Sequence, residues 1–292
     1  MTTGPLPARW TDLRRFTPAR VGLGRAGNGL PTAAHLAFQA DHAAARDAVH
    51  AALDVAALQS ALTEAGIGSL AVRSAAGDRA TYLRRPDLGR RLLEADRARL
   101  PVVPAAMLFV VCDGLSAVAV QRHAAAMLCH IIPPLRAVGP VAPVVIASQG
   151  RVALGDDIGG AMGAEAVAVL IGERPGLSAA DSLGIYLTWQ PRPGRTDAER
   201  NCISNVRPAG LPVAQAAAKL LWLIEAMRRL RLTGVALKDD QPVALEQDRP
   251  AALEKDKPAA LERDPPAALE RDQPAPLEDA RGRPAGGPTH PE

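Results

Sequence analysis

A chain of 292 residues that is 48% hydrophobic but only 3% aromatic must build its core from aliphatic side chains, chiefly Ala, Leu and Val. The formal charge of +3 conceals an asymmetry: residues 239–292 hold 13 acids and 7 bases, whereas residues 1–238 hold 18 acids and 27 bases. The arginines of this basic body are scattered, with no aromatics among them for base stacking, so a solvated Arg-rich surface is expected rather than a nucleic-acid interface.

Cys112, Cys129 and Cys202 show no CxxC spacing and form no even set, which argues against zinc and against a disulfide framework. No apolar run approaches the ~20 residues of a membrane span, and no secretory apolar segment follows Met1. The chain reads as soluble and cytoplasmic.

Residues 1–31 form an Arg/Gly-rich arm. Gly22, Gly24 and Gly27 match the GxGxxG dinucleotide fingerprint, which requires a buried strand before it and a helix after it. Arg14, Arg15, Thr17, Pro18 and Arg20 stand where that strand would be, so an arm that docks on a partner is the stronger expectation. Residues 32–100 are read as mainly helical. A helix runs from Pro31 to Val49, with Leu36, Ala40, Ala43 and Asp47 at helical spacing. His35, His42 and His50 share a face at intervals of seven and eight, which is not a metal-ligand spacing. A second helix covers Val55 to Ala65, and Ser69 to Ser74 forms a short strand. Arg84, Arg85, Arg90 and Arg91 then cluster around a turn into another helix; such groups suit phosphate or carboxylate ligands as well as surface ion pairs.

Residues 101–238 alternate strand and helix. Ala105 to Val111, Val144 to Ala147 and Ala166 to Ile171 read as buried strands, with helices at Ala117 to His130 (ended by Pro133-Pro134) and Asp156 to Met162. Near-continuous apolar strands in this alternation predict a Rossmann-like, mostly parallel sheet with helices on both faces. The loops Asp113-Gly114, Gln149-Gly150-Arg151 and Gly172-Glu173-Arg174 would then gather at the carboxyl edge, where open α/β sheets bind ligands. Leu183 to Trp189 is a further apolar run, followed by a Pro/Arg/Gly loop that carries Cys202. The strongest helix is Val213 to Leu232, with a stripe of Leu220, Leu223, Ile224, Met227 and Leu230 and a stop at Gly234. Residues 239–292 repeat Leu-Glu and Pro every eight residues, a low-complexity pattern expected to be disordered.

Six motifs fall in one order: Leu13-Arg14-Arg15-Phe16, Gly24-Arg25-Ala26-Gly27, Tyr82 to Arg91, Asp113-Gly114-Leu115-Ser116, Gly172 to Leu177, and Cys202-Ile203-Ser204-Asn205. Together, over roughly residues 10–237, they resemble the small (light) subunit of ethanolamine ammonia-lyase. The resemblance implies a hetero-oligomer in which adenosylcobalamin lies between this subunit and a large TIM-barrel subunit. That complex converts ethanolamine to acetaldehyde and ammonia by radical chemistry begun at the cofactor's cobalt–carbon bond. It further implies that Val152, Glu173 and Cys202 contact cobalamin, and that no catalytic or metal-ligating residue lies here. None of the six histidines sits in Asp-x-His-x-x-Gly, so the cofactor is expected base-on. Some relatives carry an N-terminal extension that directs the enzyme into a bacterial microcompartment; little precedes Trp10 here, and both locations are retained. The competing expectations are a stand-alone nucleotide enzyme using Gly22, Gly24 and Gly27, and a purely structural interaction protein.

Overall fold

The computed structural model describes residues 13–17, 19–104 and 106–238. The octad repeat of residues 239–292 lies outside them. At the N-terminal side, Leu13–Arg15 is a single 3₁₀ turn, and the Arg14 guanidinium donates to the carbonyls of Val21 (3.0 Å) and Gly22. Gly22, Gly24 and Gly27 all take positive φ, but no strand precedes them among the described residues. The GxGxxG match is therefore a glycine-rich arm and not a phosphate cradle.

Two helices follow, α1 (Thr32–His50) and α2 (Val55–Glu64). The Asp54 carboxylate caps α2 by accepting from the Ala57 N–H at 2.9 Å. In α1 Ala48 is the buried residue, while Leu36 and Phe38 face outward. Next come β1 (Ser69–Arg73), the short helices α3 (Arg79–Arg84) and α4 (Glu94–Arg97), and β2 (Met107–Cys112). A long helix α5 (Ala117–Arg136) leads to β3 (Val144–Ser148), and α6 (Leu154–Met162) leads to β4 (Ala166–Gly172). The chain then forms β5 (Leu183–Trp189), β6 (Arg200–Val206) and α7 (Val213–Leu230).

The six strands make one sheet in the order β1-β3-β2-β4-β5-β6. β1, β3, β2 and β4 are parallel, whereas β5 and β6 are antiparallel to their neighbours. The parallel majority of the expected sheet is present, and two antiparallel strands extend it into a mixed one. The ten residues between β4 and β5 fall short of the dozen or so a crossover helix needs, so β5 returns antiparallel. β6 was expected to be loop, and the next subsection shows why it is a strand. β1, from the region read as mainly helical, forms the far edge of the sheet.

Helices cover both faces. Along β2 and β4 alternate residues separate two cores although the runs look uniformly apolar. Met107, Phe109, Val111, Ala166, Ala168 and Leu170 meet α2, α5 and α7. Leu108, Val110, Cys112, Val167, Val169 and Ile171 meet Leu154, Ile158 and Met162 of α6. Pro133 and Pro134, expected to end α5, lie inside it. The carbonyls they leave without an N–H partner belong to exposed Cys129 and His130, while buried Ile131, Ile132 and Leu135 hold the last turn. α7 stops at Arg231 in the left-handed conformation (φ 58°), not at Gly234. No helix among the described residues is long and apolar enough to cross a membrane.

Candidate functional site

The carboxyl ends of the parallel strands converge as their order requires. Asp113, just past β2, accepts from the N–H groups of Gln149 (3.0 Å) and Gly150 (3.1 Å) past β3. The Leu115 N–H donates to Gly172 O at the end of β4 at 2.9 Å. This closure depends on Gly114, at φ +57°, where a Cβ would stand 2.3 Å from Gly172 O. Asp113 is buried, and desolvation raises its pKa against the pull of those N–H donors and of Arg79 at 3.7 Å. The three loops expected at one edge are therefore knitted together.

Val152 follows in the loop from β3 to α6. It is half-buried and packs on the core beneath α6, the same cluster against which Tyr186 of β5 packs. Glu173, one residue past β4, reaches over β5. Its Oε2 accepts from the Ser182 hydroxyl and from the Asn205 N–H (3.2 Å), and among the described residues these bonds leave Oε1 without a donor. A side chain at Gly184 would block this placement, because its Cβ would meet Oε1 at 2.9 Å.

Cys202 lies in β6 directly opposite Tyr186. As cross-strand partners, the Tyr186 hydroxyl and the Cys202 thiol influence each other's titration. Desolvation and the nearby Glu173 carboxylate raise the thiol's pKa, while Tyr186 acts the other way. Burial first, then Cys202 and Glu173, push the phenol's pKa well above its ordinary value. Glu173 and Cys202 are thus brought together around Tyr186, and Val152 joins them through the shared apolar floor. Tyr186, Ser182 and Gly184 were not singled out from the sequence. The available clue was Tyr186 itself, a lone hydroxyl in a run of otherwise apolar strand residues.

β6 owes its pattern to this place. Ile203 and Val206 are buried toward α7, while Cys202 and Ser204 are exposed on the opposite face. α6 covers β4 on that face, but Cys202 and Ser204 remain open beyond it. The strand is tied in by Arg200, whose guanidinium donates to both oxygens of Asp156 in α6 (2.7 Å each) and to the Thr188 hydroxyl (3.1 Å). Among the described residues no group of three or more His, Cys, Asp or Glu could hold a metal ion.

Fold and site together define a class: a mixed α/β chain whose carboxyl edge is closed by hydrogen bonds and, beside it, an open sheet face presenting a carboxylate, a phenol and a thiol over an apolar floor. Residues 7–238 match the family described as ethanolamine ammonia-lyase light chain (EutC). A protein of Azotobacter vinelandii named ethanolamine ammonia-lyase small subunit is 56% identical over 241 residues, covering 80% of this chain and 89% of its own length. Proteins of the same name from Xanthomonas campestris pv. campestris (53% over 249 residues, 82% and 92%) and Bradyrhizobium diazoefficiens (54% over 247 residues, 82% and 94%) are also similar. The chain belongs to the ethanolamine ammonia-lyase light-chain family, as its six motifs led one to expect. Membership in a family of small subunits implies a large partner subunit.

Proposed function

We propose that this chain is the small subunit of an adenosylcobalamin-dependent ethanolamine ammonia-lyase, and that it holds cobalamin, base-on, against a large TIM-barrel catalytic subunit. The complex would convert ethanolamine to acetaldehyde and ammonia. The observation that carries this proposal is the meeting of Glu173, Tyr186 and Cys202 on an open sheet face, with Val152 on the same apolar floor.

The residues fit the group. A corrin presents a broad apolar ring fringed with amide side chains, and Glu173 Oε1 is an acceptor with no donor of its own among the described residues. Val152 offers apolar contact, and the protonated Cys202 thiol offers a soft, nearly apolar one. All described histidines lie on α1 and α5, away from this face, which suits a cofactor that keeps its own base on cobalt. Bound adenosylcobalamin would supply the radical chemistry. The role of Val152, Glu173 and Cys202 is to bind and orient the ring and to screen it from water, and no residue of this chain takes a catalytic part.

The test is co-expression with a large subunit, followed by an ethanolamine assay with and without adenosylcobalamin. Activity should require both chains and the cofactor. Glu173→Ala should weaken cyanocobalamin binding by the complex by about tenfold or more, the scale of a lost hydrogen bond to a charged group. Cys202→Ala should weaken it less. Unchanged affinity in both variants would refute the site while leaving the partnership standing.

A further inference from the structure

A cavity of about 520 Å³ lies at the start of α6, where Asp156 holds Arg200 of β6. It is lined by Arg90, Arg91, Arg97 and Arg195, with Asp156 and Asp157 of α6. The size falls in the range of small-molecule sites, ~300–1,000 Å³. Each acid around it is already engaged. Asp156 is held by Arg200 at 2.7 Å; Asp157 accepts from the Leu92 N–H at 2.7 Å and from Arg97; Glu94 pairs with Arg97 at 3.3 Å. Arg195 is in turn occupied by Glu199.

Arg90 and Arg91 differ. Among the described residues neither makes a side-chain hydrogen bond or ion pair, and the acid whose field Arg91 shares, Asp87, is held by Arg85 at 2.7 and 2.9 Å. Two adjacent, exposed guanidiniums therefore line a cavity whose own carboxylates are neutralised. A bound anion would pair with both. Arginine's planar fork matches phosphate oxygens.

Position narrows the choice of anion. Ala153 lines the cavity, while its neighbour Val152 packs on the floor beneath the open face. The cavity thus begins one residue from a cobalamin contact. Cobalamin bears a single phosphodiester, on the arm that links the corrin to its nucleotide base. We propose that Arg90 and Arg91 form an anion subsite for that phosphodiester. This rests on the cobalamin-binding function proposed above.

The experiment compares cyanocobalamin with cobinamide, which lacks the nucleotide arm and its phosphate, by equilibrium titration of the two-subunit complex. In wild type both should bind, cyanocobalamin more tightly and with the greater salt dependence. Arg90→Gln/Arg91→Gln should weaken cyanocobalamin about tenfold or more and leave cobinamide unchanged. Equal weakening of both ligands, or of neither, overturns the subsite. If inorganic phosphate binds wild type but not the double variant while cyanocobalamin affinity stays the same, the cavity takes a free anion and the proposal fails. Wild-type complex that binds neither corrinoid refutes the parent function itself, a result distinct from all of these.

Discussion

Arg200 and Asp156, 44 positions apart, share two 2.7 Å hydrogen bonds with both side chains 2% exposed. Removing one partner leaves a buried charge uncompensated, which is far costlier than losing the pair. Arg200→Met should therefore destabilise the fold by about 3–5 kcal/mol in urea unfolding, and adding Asp156→Leu should recover much of that loss. A neighbouring group governs acid behaviour. Glu199 accepts from Thr196 N–H (2.7 Å) and hydroxyl and from Arg195, and these donors hold its pKa at about 2 against an ordinary 4.5. A depressed acid binds protons less readily when folded, so its contribution is present above pH 4.5 and is lost as pH falls toward 2. In Glu199→Gln the stability–pH curve should be flatter between those values; an unaltered slope would show that the capping bonds do not persist in solution. The Glu199 cluster is local, a Thr-x-x-Glu capping box with Arg195 one residue before it, whereas the Arg200–Asp156 pair is not readable along the chain because the tertiary fold brings the two residues together.

At the scale of elements, α6 shows how a local weakness serves packing. Its glycines disfavour helix in isolation, and from sequence they lowered the strength of the helical pattern. In the fold they let α6 lie close on β4: a Cβ at Gly155 would come 2.2 Å from Val169 Cγ2, and one at Gly159 would come 2.5 Å from Pro191 Cγ. Gly155→Ala must push helix and strand apart, at a cost of about 1–3 kcal/mol. Because Val152 and Ala153 enter α6 from the β3 loop, the same substitution should weaken corrinoid binding by the complex; the urea midpoint and a cyanocobalamin titration check the two effects. The buried strands were legible because apolar runs bounded by glycine and polar loops admit few alternatives. β6 was not, since one of its faces is open and Cys202, Ser204 and Asn205 give it the composition of a loop. The helix through Pro133 and Pro134 was likewise hidden, because what sustains it is burial of Ile131, Ile132 and Leu135 against the sheet.

For the molecule as a whole, the family match ends at residue 238, and the core closes there through Leu237 against the α7 face. The octad repeat beyond it is compositionally distinct, with one leucine per eight residues and an excess of acids. A chain ending at Lys238 should therefore form the complex with the large subunit and keep its corrinoid affinity within about twofold, as expected when no binding contact is removed; co-purification and titration would test this, and loss of the complex would assign the repeat a part in assembly.

The sequence by itself determined the aliphatic core, the α/β alternation, the convergence of three loops at one edge, and through its motifs the family. These are encoded in local runs, in punctuation by glycine and proline, and in spacing, all of which survive without knowledge of long-range contacts. Only the tertiary structure decided that β5 and β6 return antiparallel, that Tyr186 stands between Glu173 and Cys202, and that Arg90 and Arg91 line a cavity without an acid of their own. Those features depend on which distant segments become neighbours, and that is set by packing of two cores on the faces of one sheet rather than by any stretch of the chain alone.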